Sequence, residues 1–139
     1  MIGTLVTRLL VKRAFAALNR HDLEAFLRYW SDDAVFIYPG SLKVSGESRG
    51  KAEIRRWFSR GLERFPDLRF NVRGIYMKKV FSLGASNSVA VESLITGTGP
   101  EGQQYKSPYV TLIHIRWAKA YIIEDFPFDY ENVRKAWGE

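Results

Sequence analysis

Cysteine is absent from the 139 residues, and with it go disulfides, thiolate nucleophiles and thiolate metal sites. Histidine is nearly absent. His21 and His114 are far apart in sequence and have no carboxylate at ligand spacing, so no metal site is expected. No apolar run reaches the roughly 18 residues that cross a bilayer. The N-terminal stretch MIGTLVTRLLVKRAFAALNRHD is apolar, but Arg8, Lys12 and Arg13 interrupt it. A secretory signal places its charges before the apolar core and small residues after it; this pattern suits an amphipathic helix instead. The expectation is a soluble, cytoplasmic protein with no membrane partner and no cofactor. Acidic residues are scarce in the middle of the chain. Residues 43–79 hold eleven Lys and Arg against four acids, which accounts for the whole net charge of +6.

What is present is apolar and aromatic. Hydrophobic residues make up 46% and aromatics 14%, enough for a core and a lined cavity in one domain over residues 1–139. Val6, Leu10, Ala14, Ala17 and Leu18 share one face of a helix from about Thr4 to Arg20. Asp22 reads as the N-cap of a short second helix carrying Leu23, Phe26, Leu27 and Trp30, with Ser31-Asp32-Asp33 as its polar stop. Ala34 to Tyr38 reads as a strand, turned by Pro39-Gly40, and a loop with Gly46 and Gly50 follows. A third helix from near Lys51 has Ile54, Trp57, Phe58, Leu62 and Phe65 as its buried stripe. Arg56, Arg60 and Arg64 fall at i, i+4 and i+8 on this helix. They read as a solvated face or, alternatively, as an anion patch. Nucleic acid is not expected, because the aromatics turn toward the core rather than forming a stacking platform.

Four long strands follow, over Leu68–Leu83, Ser88–Gly97, Tyr105–Ala118 and Tyr121–Phe128, and Asp129 caps a short terminal helix or tail. Their short connections predict an antiparallel meander. Helices first and strands later is the α+β pattern. In the third long strand, Tyr109, Ile113, Ile115 and Trp117 share one face; Val110, Leu112, His114 and Arg116 share the other. Both faces are largely apolar, which suggests a pocket on one side and a partner subunit on the other.

The ordered set Ala17-Leu18-Asn19, Asp22-Leu23, Asp32 to Phe36, Pro39-Gly40, Ile54, Trp57-Phe58, Phe65-Pro66-Asp67, Val89 to Glu92 and Gly97-Thr98-Gly99 resembles the nuclear transport factor 2-like superfamily. The match is to its SnoaL-like, ketosteroid-isomerase-like branch. The resemblance implies a cone-shaped barrel: a strongly bent, mostly antiparallel sheet closed by three N-terminal helices around an apolar pocket. It also implies a homodimer through the outer sheet face. It does not fix a reaction, because the fold hosts many. The positions that carry ketosteroid isomerisation in the family are Tyr38, Ala14 and Ile113 here, and none suits that proton transfer. Limonene epoxide hydrolases and SnoaL cyclases, also relatives, use pocket carboxylates, and Glu92 and Asp125 stand at comparable places.

The expected ligand is a small apolar organic molecule, bound by Tyr38, Trp30, Phe36, Trp57, Tyr109, Ile113 and Trp117. If the protein is catalytic, Glu92 or Asp125 moves a proton in a cofactor-free isomerisation, cyclisation or hydrolysis, and Tyr38 orients a ligand oxygen. Glu92 reads alternatively as a strand carboxylate paired with a neighbouring lysine or arginine. The alternative for the whole chain is a non-catalytic ligand-binding or protein-interaction module.

Overall fold

In the computed structural model, residues 2–79 and 86–139 are described. Helix α1 (Ile2–Asn19) is followed by α2 (Leu23–Leu27), strand β1 (Trp30–Tyr38), β2 (Gly46–Arg49) and α3 (Gly50–Arg64). Then come β3 (Arg69–Met77), β4 (Ser86–Thr98), β5 (Gln104–Arg116), β6 (Lys119–Pro127) and α4 (Tyr130–Ala136). The six strands form one sheet in the order β2-β1-β6-β5-β4-β3. The meander β3 to β6 is antiparallel, as expected, whereas β1 joins β6 in parallel. The sheet curls without closing, so β2 and β3 remain as edges.

The caps explain where the helices start. Asp22 accepts the Ala25 amide at 3.1 Å and opens α2; Asp129 accepts the Asn132 amide at 3.0 Å and opens α4. Helix α3 starts at Gly50, and its Glu53 reaches back to the Arg49 amide at 2.7 Å. Asn19, the last residue of α1, clasps β3. Its Nδ2 donates to the Phe70 carbonyl at 2.9 Å, and its Oδ1 accepts the Phe70 amide at 2.7 Å. Gly40 has φ +87°, and a Cβ there would land on the Tyr130 ring. The Tyr130 hydroxyl takes the Ser41 amide at 2.9 Å, which fixes the β1–β2 turn against α4.

Three expectations change. Trp30 opens β1 rather than ending α2, and Ser31, Asp32 and Asp33 lie within that strand at a bulge, where the register with β6 shifts. The Gly46 to Gly50 loop contains the edge strand β2. The first long strand ends at Met77; its expected continuation to Leu83 falls partly on residues 80–85, outside the described residues.

The core is aromatic. Phe26, Trp30, Phe36 and Phe58 meet edge to face or tilted, with ring centroids 5.0 to 6.2 Å apart. Val11, Phe15, Ile75, Val89 and Val91 form a second cluster between α1 and the β3–β4 pair. Among the described residues, no helix is long and apolar enough to cross a membrane.

Candidate active site in the cone

A cavity of about 490 Å³ lies between α1 and the concave face of the sheet. Its walls follow from strand parity. On β5, Thr111, Ile113 and Ile115 point in; on β6, Ala120, Ile123 and Asp125 do. Helix α1 supplies Val6, Leu10, Val11, Ala14 and Phe15, and Trp30, Phe36 and Phe58 complete the wall. The most exposed of the lining residues are Val6, Ser86 and Ala118. They place the mouth between the first half of α1, the start of β4 and the β5–β6 turn. Thr111 lies four residues below Ile115, roughly 13 Å into the cone at strand rise.

Among the described residues, Asp125 is the one ionisable side chain on this wall besides Tyr29. It is buried, and Thr111 Oγ1 donates to its Oδ1 at 2.7 Å. The two residues are paired across β5 and β6, which brings them together on the inner face. Burial raises the Asp125 pKa from 3.8 to about 7, and the Thr111 hydrogen bond pulls the other way. No cation pairs with it among the described residues.

Beyond Asp125 a smaller void of about 30 Å³ is lined by Tyr38, Trp57, Tyr105, Tyr109 and Trp137, with Asp125 on its wall as well. The Tyr38 and Tyr109 hydroxyls lie 2.6 Å apart, and those of Tyr109 and Tyr105 2.5 Å. Burial pushes Tyr38 up to about 12 and raises Tyr105 and Tyr109 well above their ordinary value, so all three stay protonated at neutral pH.

The expected site residues divide accordingly. Trp30, Phe36, Ile113 and Asp125 line the large cavity. Tyr38, Trp57 and Tyr109 line the smaller void, and the Tyr38 hydroxyl is engaged by Tyr109. Glu92 is corrected: it faces away from the cone. On β4 the buried side is Val89, Val91, Ser93 and Ile95, so Glu92 falls on the other face, where it accepts the Tyr76 hydroxyl at 3.1 Å. Trp117 is corrected too. It sits at the tip of the β5–β6 turn, outside the cavity lining. His114 lies on the outer face against Ser88, at 3.0 Å. Arg64 Nε donates to the Ala136 carbonyl at 2.9 Å, so of Arg56, Arg60 and Arg64, the set expected as a patch, only Arg56 and Arg60 remain as an exposed pair.

Thr111 and the α1 wall were missed from the sequence. Thr111 shares parity with Tyr109 and Ile113, and that signal was available; its pairing with Asp125 needs the register. Among the described residues, no three His, Asp or Glu side chains converge as a metal site requires.

Among curated protein sequences, none matches the chain significantly. Solved structures do. Bal32a, from a soil-derived mobile gene cassette, superposes with a TM-score of 0.83 at 15% identity, covering 94% of this chain and 95% of its own. TerC, co-crystallised with polyporic acid, gives 0.78 at 18% identity, covering 96% and 98%. An NTF2-like protein from Burkholderia thailandensis gives 0.78 at 20% identity, covering 96% and 98%. At these identities the likeness is one of fold. The model of the SnoaL-like domain matches residues 11–121, most of the chain, while Asp125 and the cavity-lining residues of the first half of α1 lie outside the match. The chain belongs to the SnoaL-like family, within the nuclear transport factor 2-like superfamily.

Proposed function

We propose that this chain, acting as a single SnoaL-like domain, binds a small apolar organic molecule and moves a proton on it through Asp125, without a cofactor. The observation that carries this reading is a lone buried carboxyl facing an apolar cavity. A carboxyl poised near pH 7 is matched to general acid–base work at neutral pH, because both of its forms are populated there. Thr111 is a positioning residue: its hydroxyl holds one carboxyl oxygen and leaves the other free to reach a ligand. Tyr38 acts with Tyr109 and Tyr105 as a neutral donor cluster beside Asp125, rather than as a separate ligand hook. With one carboxyl on the cavity wall among the described residues, the chemistry supported is proton transfer at carbon or oxygen, as in isomerisation or cyclisation. TerC, which shares the fold, was co-crystallised with polyporic acid, and that agrees with an organic ligand for this chain.

The test reads proton abstraction whatever the final product. A panel of cyclic ketones and phenols is incubated with the protein in D₂O, and exchange at carbon is followed by NMR. At least one member is expected to exchange faster with protein present, and Asp125→Asn is expected to abolish that gain while its binding persists. Exchange that survives Asp125→Asn removes Asp125 as the proton carrier. The competing reading is a binding module. It is favoured by the tyrosine hydroxyls being engaged with one another, and it predicts binding by the panel with no exchange at all.

A further inference from the structure

The β5–β6 connection is a two-residue turn, since Arg116 pairs with Lys119. Its two residues, Trp117 and Ala118, have φ +52° and +61°. Such a turn favours Asn-Gly, Asp-Gly or Gly-Gly, and a bulky side chain at these angles is strained. Here the turn carries the largest apolar side chain in the repertoire, 72% exposed. Folding alone gives no reason for that choice. Across the mouth of the cavity, α1 presents Leu5 at 64% and Leu9 at 46% exposure, one helical turn apart. These side chains project outward on two separate elements, and Val6 and Ala118 beside them open into the cavity.

The charge around them has one sign. Helix α1 carries Arg8, Lys12 and Arg13 and no acid. Arg116 and Lys119 flank Trp117, and Lys79 stands at Ser86 on the rim, 3.2 Å from its hydroxyl. No acidic residue occurs from 68 to 91 or from 115 to 121. None of these six cations is in an ion pair among the described residues.

We propose that the mouth of the cone docks on an anionic lipid surface, with Trp117, Leu5 and Leu9 entering the headgroup layer and the basic collar meeting lipid phosphates. Protruding apolar side chains backed by Lys and Arg are what an interfacial contact needs. A folded protein partner would have to supply a matching hollow for each of them. The expectation of no membrane partner rested on the length of apolar runs, which excludes a spanning helix but not a surface contact. Docked this way, the cavity opens into the layer where apolar molecules dissolve, and a ligand enters without crossing water.

The test needs no ligand and does not depend on Asp125. The full chain is sedimented with vesicles of phosphatidylcholine alone, and with vesicles of two parts phosphatidylcholine to one part phosphatidylglycerol. It is expected to co-sediment with the mixed vesicles, more weakly with the neutral ones, and to be released by salt. Tryptophan emission is expected to shift to the blue on binding, through Trp117. Trp117→Ala and Leu9→Asp, both at exposed positions, are each expected to lower the affinity about tenfold, and Trp117→Ala to remove the emission shift. No co-sedimentation, or binding unchanged in both variants, overturns the proposal. So does sedimentation equilibrium in which Leu9→Asp splits a dimer, since the surface would then be covered by a second copy.

Discussion

Asp125 has consequences for stability as well as for chemistry. Its pKa is higher in the folded chain than in the unfolded one, so the unfolded chain gives up its proton first. Stability from this group is therefore full below pH 4 and is lost as pH rises from about 3.8 toward 7. A shift of that size corresponds to roughly 4 kcal/mol. Asp125→Asn keeps the shape and cannot ionise. Urea unfolding is expected to show the variant more stable than the parent at pH 8, with the difference vanishing by pH 4; equal stability at pH 8 would mean the carboxyl is not desolvated. Thr111→Val makes a separate prediction. The Thr111 hydrogen bond favours the ionised carboxyl, so its loss is expected to move the titration of Asp125 upward, followed by carbon-13 NMR of the carboxyl. In the exchange assay the same variant shifts the pH profile in the same direction, which a merely structural residue would not do.

The elements differ in how plainly the sequence announced them. Helices α1, α2 and α3, the strands of the meander and both aspartate caps were legible because a period or a capping residue marks each. Trp30 was not: it continues the helical spacing from Phe26 and Leu27, yet it also shares parity with Ala34, Phe36 and Tyr38 across the bulge at Ser31, Asp32 and Asp33. Strand β2 was hidden because Gly-Glu-Ser-Arg has no β-forming residue; pairing with β1 alone makes it a strand. Glu92 was misplaced although the alternation Val89, Val91, Ser93, Ile95 pointed it outward. About a third of the cavity-lining residues belong to α1, whose helical face gives no sign that it meets a void rather than packed side chains. The Asn19 clasp joins the end of that helix to β3, and Asn19→Ala strips partners from both polar groups of the Phe70 peptide. Urea unfolding is expected to show a loss of about 2–4 kcal/mol; a loss under half a kilocalorie would mean that solvent takes over both bonds.

At the scale of the molecule, the sheet has two unlike faces. The inner one holds the cavity. The outer one carries Ala90, Leu94, Val110, Leu112 and Ile122, half-buried, with Tyr76 and Phe126 exposed. An apolar sheet face of this extent suits a second copy of the chain, as the family resemblance implied. Sedimentation equilibrium is expected to give about twice the 16.0 kDa of one chain, and Phe126→Asp to return it to one. A parent that sediments as a single chain would leave that face as plain surface. The outer sheet face and the cavity mouth occupy different parts of the molecule, so the two assays report independently.

The tyrosine cluster lies at the other end of β5 from the mouth, and its stoichiometry has a consequence. Three hydroxyls bring three hydrogens, and the two links Tyr38–Tyr109 and Tyr109–Tyr105 use two. These two links leave one hydrogen over, and it can be handed from one ring to another by turning the hydroxyls alone, with every heavy atom in place. The floor of the cone therefore carries a movable donor. A guest reaching it is held best with a lone pair foremost, whichever of the three rings is offering at that moment.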